Sequence, residues 1–266
     1  MTTRDETIEI TVDDDRIAGT LLAPASVLPG VLFVHGWRGD QTQYLARARE
    51  IAALGCICLT FSLRGHAETE HKCQSITRED SLHDVIAAYD VLAGVRGVDK
   101  SAIAVIGSSY GGYMAALLTT HRPVRWLGLR VPALYQDEDW RVPKQQLDRD
   151  KLAAYRRGKV RPDDNAALRA CKTFSGDVLI VQCEHDDVVP PPVIANYRAA
   201  CADARSLTFR MIDGADHGLS RPEWQQAYTS ILVNWATEMV VGARQGAAAA
   251  TSDTLPPLRR GPPRPA

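Results

Sequence analysis

The chain has 266 residues, of which 45% are hydrophobic and 24% are charged. This balance is typical of a globular protein with a continuous core, and the formal net charge of −1 gives no electrostatic reason to expect nucleic acid or an anionic membrane as a partner. A polar start without an apolar leader, and the lack of a long apolar run, predict a cytoplasmic protein without a membrane span.

The predicted elements begin with an antiparallel hairpin over the first 24 residues, with a turn of three aspartates at 13–15. Apolar strands and helical segments then alternate along the chain. Strands are predicted at 31–34, 56–61, 102–107, 125–131, 177–183 and 206–212, and helices at 42–54, 79–93, 111–121, 191–203 and 222–240. Such alternation indicates the α/β class, with a parallel sheet covered by helices on both faces.

Two segments depart from this alternation. Residues 133–175 are rich in charge and separate two predicted strands, so we expect a cap over a site, with a solvated helical excursion as the alternative. Residues 242–266 combine alanine, proline, glycine and arginine without periodicity, which predicts a disordered tail. The expected organisation is therefore one domain over 1–241, with its cap insertion, followed by that tail.

A short motif, G-S-S-Y-G at 107–111, stands between a predicted strand and a predicted helix. The pentapeptide alone is common and could be a glycine-serine turn without chemistry. Strand, pentapeptide and helix in this order are typical of a nucleophile elbow, whose sharp turn exposes the central serine. The context therefore predicts that Ser109 is a nucleophile.

A nucleophilic serine needs a base and a group that orients the base. The strand at 178–183 runs into an acidic segment that contains Glu184, Asp186 and Asp187, and the next strand runs into His217. Because the carboxyl ends of parallel strands meet at one edge of a sheet, these side chains are expected near Ser109. The chain order of serine, acid and histidine is that of the α/β-hydrolase triad.

On these motifs, residues 16–240 resemble the α/β-hydrolase superfamily, in particular bacterial single-domain serine esterases near the dienelactone-hydrolase-like and prolyl-oligopeptidase-like branches. The resemblance implies an α/β-hydrolase fold with a mostly parallel eight-stranded sheet and a small cap. Its D-x-x-V-P setting favours Asp186 as the acid, with Glu184 and Asp187 as alternatives, and its D-H-G motif selects His217.

An oxyanion hole requires two backbone donors. The residue after the nucleophile, Tyr110, supplies one amide, and the resemblance implies Trp37 as the second, in the H-G-W sequence at 35–37. His35 is then interpreted as structural. The segment at 61–68 resembles the family's D-x-R-G-x-G-x-S loop but carries Ser62 and Ala67 in place of the usual acid and glycine, which weakens any inference about substrate.

The triad and the oxyanion hole together predict a carboxylic-ester hydrolase that works through an acyl-enzyme. Its expected partner is a small molecule, an ester with a small or medium acyl group. The resemblance implies no metal and no organic cofactor, and the six cysteines include no C-x-x-C pair that would indicate a metal site. From position alone, the apolar wall of the substrate site is predicted to comprise Trp37, Tyr113, Leu134, Tyr135 and Trp140.

Two other functions stay open at this point. A serine peptidase or amidase could use the same triad, with Asp137, Glu138 or Asp139 binding a peptide amine. A non-catalytic ligand-binding module on a hydrolase fold is the third possibility, since function belongs to the site and not to the fold. The sequence leaves the acyl group, the alcohol group and the oligomeric state open.

Overall fold

The computed structural model describes residues 3–12, 15–24 and 27–252, with side chains described for residues 27–242. The chain divides into two compact units, one formed by residues 27–237 and the other by the described residues before and after that range. The larger unit contains the parallel sheet and the helices around it, and the α/β class predicted from the sequence is confirmed.

Six parallel strands form the sheet in the order β4-β3-β5-β6-β7-β8. They are β3 (Leu28–Val34), β4 (Ile57–Thr60), β5 (Val98–Ser108), β6 (Trp126–Arg130), β7 (Asp177–His185) and β8 (Ser206–Asp216). The interior strands β3 and β5 are apolar and buried along most of their length, as a sheet covered on both faces requires. The chain order reverses between β3 and β5, and ligands bind at the carboxyl ends of strands at such a switch point.

The predicted eight-stranded sheet is wrong, because the first two strands are not part of it. β1 (Thr3–Val12) pairs only with β2 (Asp15–Pro24), antiparallel, in a separate two-stranded sheet among the described residues. The hairpin itself matches the sequence prediction. Alternation of apolar and polar residues predicts a strand, but it does not specify which other strands bond to its edges.

The helices of the larger unit are α1 (Thr42–Ala53), α2 (Arg78–Gly94), α3 (Tyr110–Leu118), α4 (Arg149–Arg157), α5 (Ala166–Thr173) and α6 (Pro191–Ala200). The segment at 133–175 contains α4, α5 and three short 3-10 turns at 137–139, 144–146 and 162–164. Its helices begin at side-chain caps: Asp148 and Asn165 each accept two backbone N–H groups.

The last helix, α7, extends over Pro222–Ser252, whereas the sequence predicts a disordered tail from Gly242. Alanine is the strongest helix former, and the alanine run at 247–250 accounts for the longer helix. The rest of the predicted tail, residues 253–266, lies outside the described residues. Across the described ranges, the structure contains no helix with the length and apolarity that a membrane crossing demands.

Candidate active site

Ser109 forms the turn between β5 and α3 in a strained conformation. Its backbone angles, φ 52° and ψ −116°, lie on the left-handed side that L residues rarely adopt. The flanking glycines permit this turn: a Cβ at Gly107 would lie 2.2 Å from the Gly111 carbonyl oxygen, and one at Gly111 would lie 2.2 Å from the Val34 carbonyl oxygen. The turn therefore presents the Ser109 side chain at the carboxyl end of β5.

Replacing Gly107 with alanine is expected to lower the free energy of unfolding by at least about 2 kcal/mol, because the added methyl group meets backbone and not a flexible side chain. Gly94→Ala is the matched control, since a Cβ there has no heavy atom within 4 Å and the residue ends α2. The control should change stability by less than about 1 kcal/mol. Urea unfolding of both variants measures this, and equal stabilities would contradict the steric account.

The side chains of Ser109, His217 and Asp186 form one line of hydrogen bonds. The Ser109 Oγ lies 3.1 Å from His217 Nε2, and His217 Nδ1 lies 2.7 Å from Asp186 Oδ2. The Asp186 side chain is 3% exposed and that of His217 is 20% exposed. His217 thus has one ring nitrogen facing the carboxylate and the other facing the serine hydroxyl.

The loop after β7 fixes the Asp186 carboxylate. Its Oδ1 accepts the backbone N–H groups of Val188 and Val189, at 2.9 and 2.7 Å, which leaves Oδ2 for the His217 Nδ1–H. The two alternative acids lie elsewhere: exposed Glu184 accepts the Gly214 N–H, and exposed Asp187 has no hydrogen bond to His217 among the described residues. Of the three candidates, the structure brings Asp186 to the histidine.

Arg130, at the end of β6, forms a hydrogen bond to the loop that carries His217. Its Nη1 donates to the His217 carbonyl oxygen at 2.7 Å, and its Nε donates to the Ser108 Oγ at 2.9 Å. Ser108 Oγ also shares a hydrogen bond with the Tyr44 hydroxyl. Sequence reasoning missed Arg130 because it belongs to no motif. The available signal was its position at the carboxyl end of a strand in the middle of the sheet.

Two backbone N–H groups beside Ser109 are available to a ligand. Tyr110 is the first residue of α3, and Trp37 lies in the loop after β3, where the Gly39 N–H closes a turn onto the Gly36 carbonyl. Within the described ranges, neither the Tyr110 nor the Trp37 amide donates to a protein acceptor. The amino end of a helix also favours negative charge. These are the amides that the sequence analysis selected for the oxyanion hole.

His35 is buried next to this loop, and in its neutral form both of its ring nitrogens form hydrogen bonds. Its Nδ1 donates to the Gly36 carbonyl at 2.7 Å, and its Nε2 accepts the Leu63 N–H at 2.9 Å. Burial is the main cause that lowers its pKa to about 4. The ring therefore holds the loop of Trp37 in place and carries no positive charge at neutral pH.

This neutral histidine predicts acid sensitivity. Because the pKa of His35 is about 6.5 in the unfolded chain and about 4 in the folded one, the unfolded state binds more protons between these values, and stability falls as pH decreases through that window. Between pH 7 and pH 5 this residue should account for about 2 kcal/mol of lost unfolding free energy. Buried His66, whose pKa burial also lowers, acts in the same direction.

Urea unfolding at both pH values tests this expectation. The loss of unfolding free energy between pH 7 and pH 5 should be smaller in His35→Gln than in the wild-type protein. It should persist in His121→Gln, which replaces an exposed histidine. An identical loss in both variants would show that His35 is not the residue that titrates.

Two cavities meet at Ser109 and His217. The first, of about 310 Å³, lies toward Tyr44, Arg130 and Tyr228. The second, of about 570 Å³, is lined largely by residues of the 133–175 segment. Its lining from that segment consists of Tyr135, Lys144, Gln145, Leu147, Arg149, Leu152 and Arg156. The segment therefore borders the space next to the serine, where the sequence analysis expected a cap.

The predicted substrate wall is brought together only in part. Trp37 and Tyr135 line the second cavity. Tyr113 and Leu134, both 0% exposed, are core residues and line neither cavity, and half-buried Trp140 lines neither. Tyr113 packs edge-on against the Tyr135 ring, with the ring centroids 5.0 Å apart. Position along the chain placed these residues near the site but did not specify which side chains face the cavity.

The acids considered for a peptide amine have other partners or positions. The Asp137 carboxylate accepts the Ala166 N–H at the start of α5, and Glu138 pairs with Lys151 at 2.5 Å. Asp137, Glu138 and Asp139 line neither of the two cavities. The structure therefore does not bring them to Ser109.

Comparison with solved structures found many proteins with a similar fold. The three described here are distant from this chain in sequence. Dienelactone hydrolase from Anabaena variabilis is 18% identical, with 88% of this chain and 96% of that chain covered and a TM-score of 0.56. Monoacylglycerol lipase from Paleococcus ferrophilus is 16% identical (90% and 100% covered, TM-score 0.60). Acylaminoacyl peptidase from Pyrococcus horikoshii is 14% identical, and this chain spans 41% of it (88% of this chain covered, TM-score 0.58).

These likenesses confirm the α/β-hydrolase fold that the motifs predicted. A search of the curated proteins found no match. The family model described as the prolyl oligopeptidase family matches residues 40–242, which include the elbow, the acid loop, the histidine loop and the segment at 133–175. Because that match covers more than half of the sequence, the chain belongs to the prolyl oligopeptidase family.

Proposed function

We propose that this protein is a serine hydrolase that cleaves carboxylic esters of small to medium acyl groups, with Ser109 as nucleophile, His217 as base and Asp186 as the orienting acid. The observation that carries the proposal is the unbroken line of hydrogen bonds from Asp186 through His217 to a serine on a strained elbow. Such a line is what activates a hydroxyl for attack on a carbonyl carbon.

In the first half of the reaction, His217 Nε2 takes the Ser109 proton while Oγ attacks the ester carbonyl. Negative charge develops on the carbonyl oxygen, where the Tyr110 and Trp37 amides can donate to it. Asp186 accepts from Nδ1–H throughout, so it holds the tautomer and stabilises the imidazolium.

The tetrahedral adduct then collapses. The bond to the leaving oxygen breaks, and the proton on His217 Nε2 passes to that oxygen, so that the alcohol departs and the acyl group stays on Ser109. In the second half, His217 takes a proton from water while the hydroxide attacks the acyl-enzyme carbonyl. The bond between the acyl carbon and Ser109 Oγ then breaks, His217 Nε2 returns its proton to Oγ, and the carboxylic acid product leaves.

The composition of the two cavities favours an ester over a peptide with a free amine. Among the described residues, no aspartate or glutamate lines either cavity, so a positively charged amine would lack a counter-ion there. The fold likeness to a dienelactone hydrolase and a lipase agrees with ester chemistry. The family and the likeness to an acylaminoacyl peptidase favour amide cleavage as the second candidate.

A set of three matched substrates separates these candidates. We expect p-nitrophenyl butyrate to be hydrolysed with a higher kcat/KM than the p-nitroanilide of the same acid or of alanine, each corrected for its uncatalysed rate. A higher corrected value for either anilide would assign amide cleavage to the site. Without turnover of any of the three, the ester proposal fails.

A further inference from the structure

Four cationic side chains line the second cavity: Arg38, Lys144, Arg149 and Arg156. The cavity also reaches Ser109 and His217, and its described lining contains no carboxylate. Across the side chains that the structure describes, none of the four cations forms an ion pair with an aspartate or glutamate. The wall beside the nucleophile is therefore positively charged without an internal counter-ion.

Lys144 and Arg156 are half-buried, whereas Arg38 and Arg149 are exposed. The Lys144 Nζ is 4.3 Å from the centroid of the Trp37 ring and 5.8 Å from that of the Tyr110 ring, so it stands over the two residues whose amides flank Ser109. Burial lowers its pKa to about 7, with a further contribution from the surrounding arginines. A half-buried ammonium group without a carboxylate partner is unfavourable, and such groups are typical of binding sites.

Arg156 is held in place by neutral groups. Its Nε donates to the Leu134 carbonyl at 2.9 Å, and its guanidinium lies 4.8 Å from the centroid of the Tyr135 ring. The guanidinium of Arg78 lies 5.2 Å from the centroid of the same ring. Arg78 is fully buried, and its Nε and Nη2 lack a hydrogen-bond partner in the described part of the chain. Neither arginine forms an ion pair with a carboxylate among the described side chains, although the Asp137 charge acts on Arg78.

The acids around this cavity have other positions or roles. Asp148 caps α4, and Glu138 pairs with Lys151. Asp187 lines an adjoining cavity that shares Arg149 and Arg156 with the second cavity. Asp40 and Glu70 line another cavity that shares Arg38 with it. Apolar side chains complete the second cavity, namely Leu147, Leu152 and Val188. The cavity thus combines a hydrophobic surface with a concentrated positive charge.

We propose that the second cavity binds a substrate that carries an anionic group, a carboxylate or a phosphate, in addition to the scissile ester, with Lys144 and Arg156 as its main contacts. This inference rests on the proposed function and specifies its substrate class. The anion supplies the counter-ion that the half-buried Lys144 and Arg156 lack within this cavity. The aromatic and aliphatic walls contact the hydrocarbon part of the molecule.

Matched ester pairs test the proposal on the acyl side and on the alcohol side. The first pair is mono-p-nitrophenyl adipate and its neutral methyl ester, and the second is 3-carboxyphenyl butyrate and 3-carbamoylphenyl butyrate. In at least one pair, we expect kcat/KM of the anionic member to exceed that of the neutral member by a factor of about ten or more. This factor corresponds to the free energy of one charge-assisted hydrogen bond. Lys144→Met should remove most of that preference, and Lys144→Glu should reverse it.

Lys159→Met is the matched control, since Lys159 is an exposed lysine of the same segment and does not line the cavity. It should keep the preference and the activity on neutral esters. Equal kcat/KM for both members of each pair in the wild-type protein would overturn the inference. An unchanged preference in both Lys144 variants would do so as well.

The preference for the anion should also depend on pH. Because the pKa of Lys144 lies near 7, the ratio of anionic to neutral kcat/KM should fall as pH rises through 7 and the ammonium group loses its proton. The groups facing Lys144 are Arg38, Arg78, Arg149 and Arg156, which stay charged, and His66, whose pKa burial lowers. In Lys144→Met the ratio should be independent of pH.

A binding experiment separates this inference from the proposed function. Calorimetry with adipate and with inorganic phosphate on Ser109→Ala measures anion binding without catalysis, and the tighter ligand identifies the anion. If no ester is cleaved but adipate or phosphate binds and Lys144→Met abolishes that binding, the anion site stands and the ester proposal fails. If neutral esters are cleaved without anion preference and neither anion binds, the anion site fails and the ester proposal stands.

Discussion

Replacing Ser109 with alanine is expected to lower kcat on a p-nitrophenyl ester by about 10⁶-fold, the scale seen when a serine hydrolase loses its nucleophile. The change removes the one hydroxyl that bonds to His217 Nε2 at 3.1 Å, and the remaining oxyanion donors and binding contacts retain only a small residual rate. The fold should persist, because alanine adds no atoms to the turn.

Steady-state kinetics and urea unfolding of the same samples check this expectation. Ser101→Ala, which changes an exposed serine of β5 far along the strand from the elbow, should keep the wild-type rate. A Ser109→Ala enzyme that is folded and retains more than about a tenth of the wild-type kcat would show that Ser109 is not the nucleophile.

Asp186→Asn is expected to lower kcat by about 10⁴-fold while leaving the fold intact. The asparagine oxygen can still accept the Val188 and Val189 N–H groups, so its amide NH₂ group would face His217 Nδ1. That nitrogen must then accept a hydrogen bond, and the ring proton moves to Nε2. With Nε2 protonated, the histidine cannot take the proton of Ser109.

Asp187→Asn is the control, because it removes the same charge from the next residue, which is exposed and, among the described residues, forms no hydrogen bond or ion pair with His217. The two variants should differ in kcat by at least about a thousandfold on the same ester. A large loss in Asp187→Asn or in Glu184→Gln, with Asp186→Asn active, would move the role of the acid to that residue.

The elbow could be predicted because its physical requirements are local. Two glycines at a spacing of four and a strand before them are visible in the sequence, and the structure shows why a Cβ at either glycine would clash. The positions of Asp186 and His217 near Ser109 followed from a general property of parallel sheets, whose strands end at one edge. Neither feature depends on how the side chains of distant elements pack.

Arg130 and Lys144 illustrate what the sequence could not predict. Arg130 acts on His217 across 87 positions of the chain, and Lys144 reaches Trp37 from a segment without strong periodicity. Their contacts depend on how distant elements pack, which no local pattern encodes. The same limit explains why Tyr113 and Leu134 were placed in the substrate wall although both are core residues.

Labelling with a fluorophosphonate tests the central claim most directly, because the reagent phosphonylates a serine only where a base activates the hydroxyl and the site is open. We predict that the wild-type protein is labelled once, that peptide mass spectrometry places the label on Ser109, and that folded Ser109→Ala is not labelled. No labelling of the wild-type protein, or equal labelling of Ser109→Ala, would contradict the claim that Ser109 is the activated nucleophile.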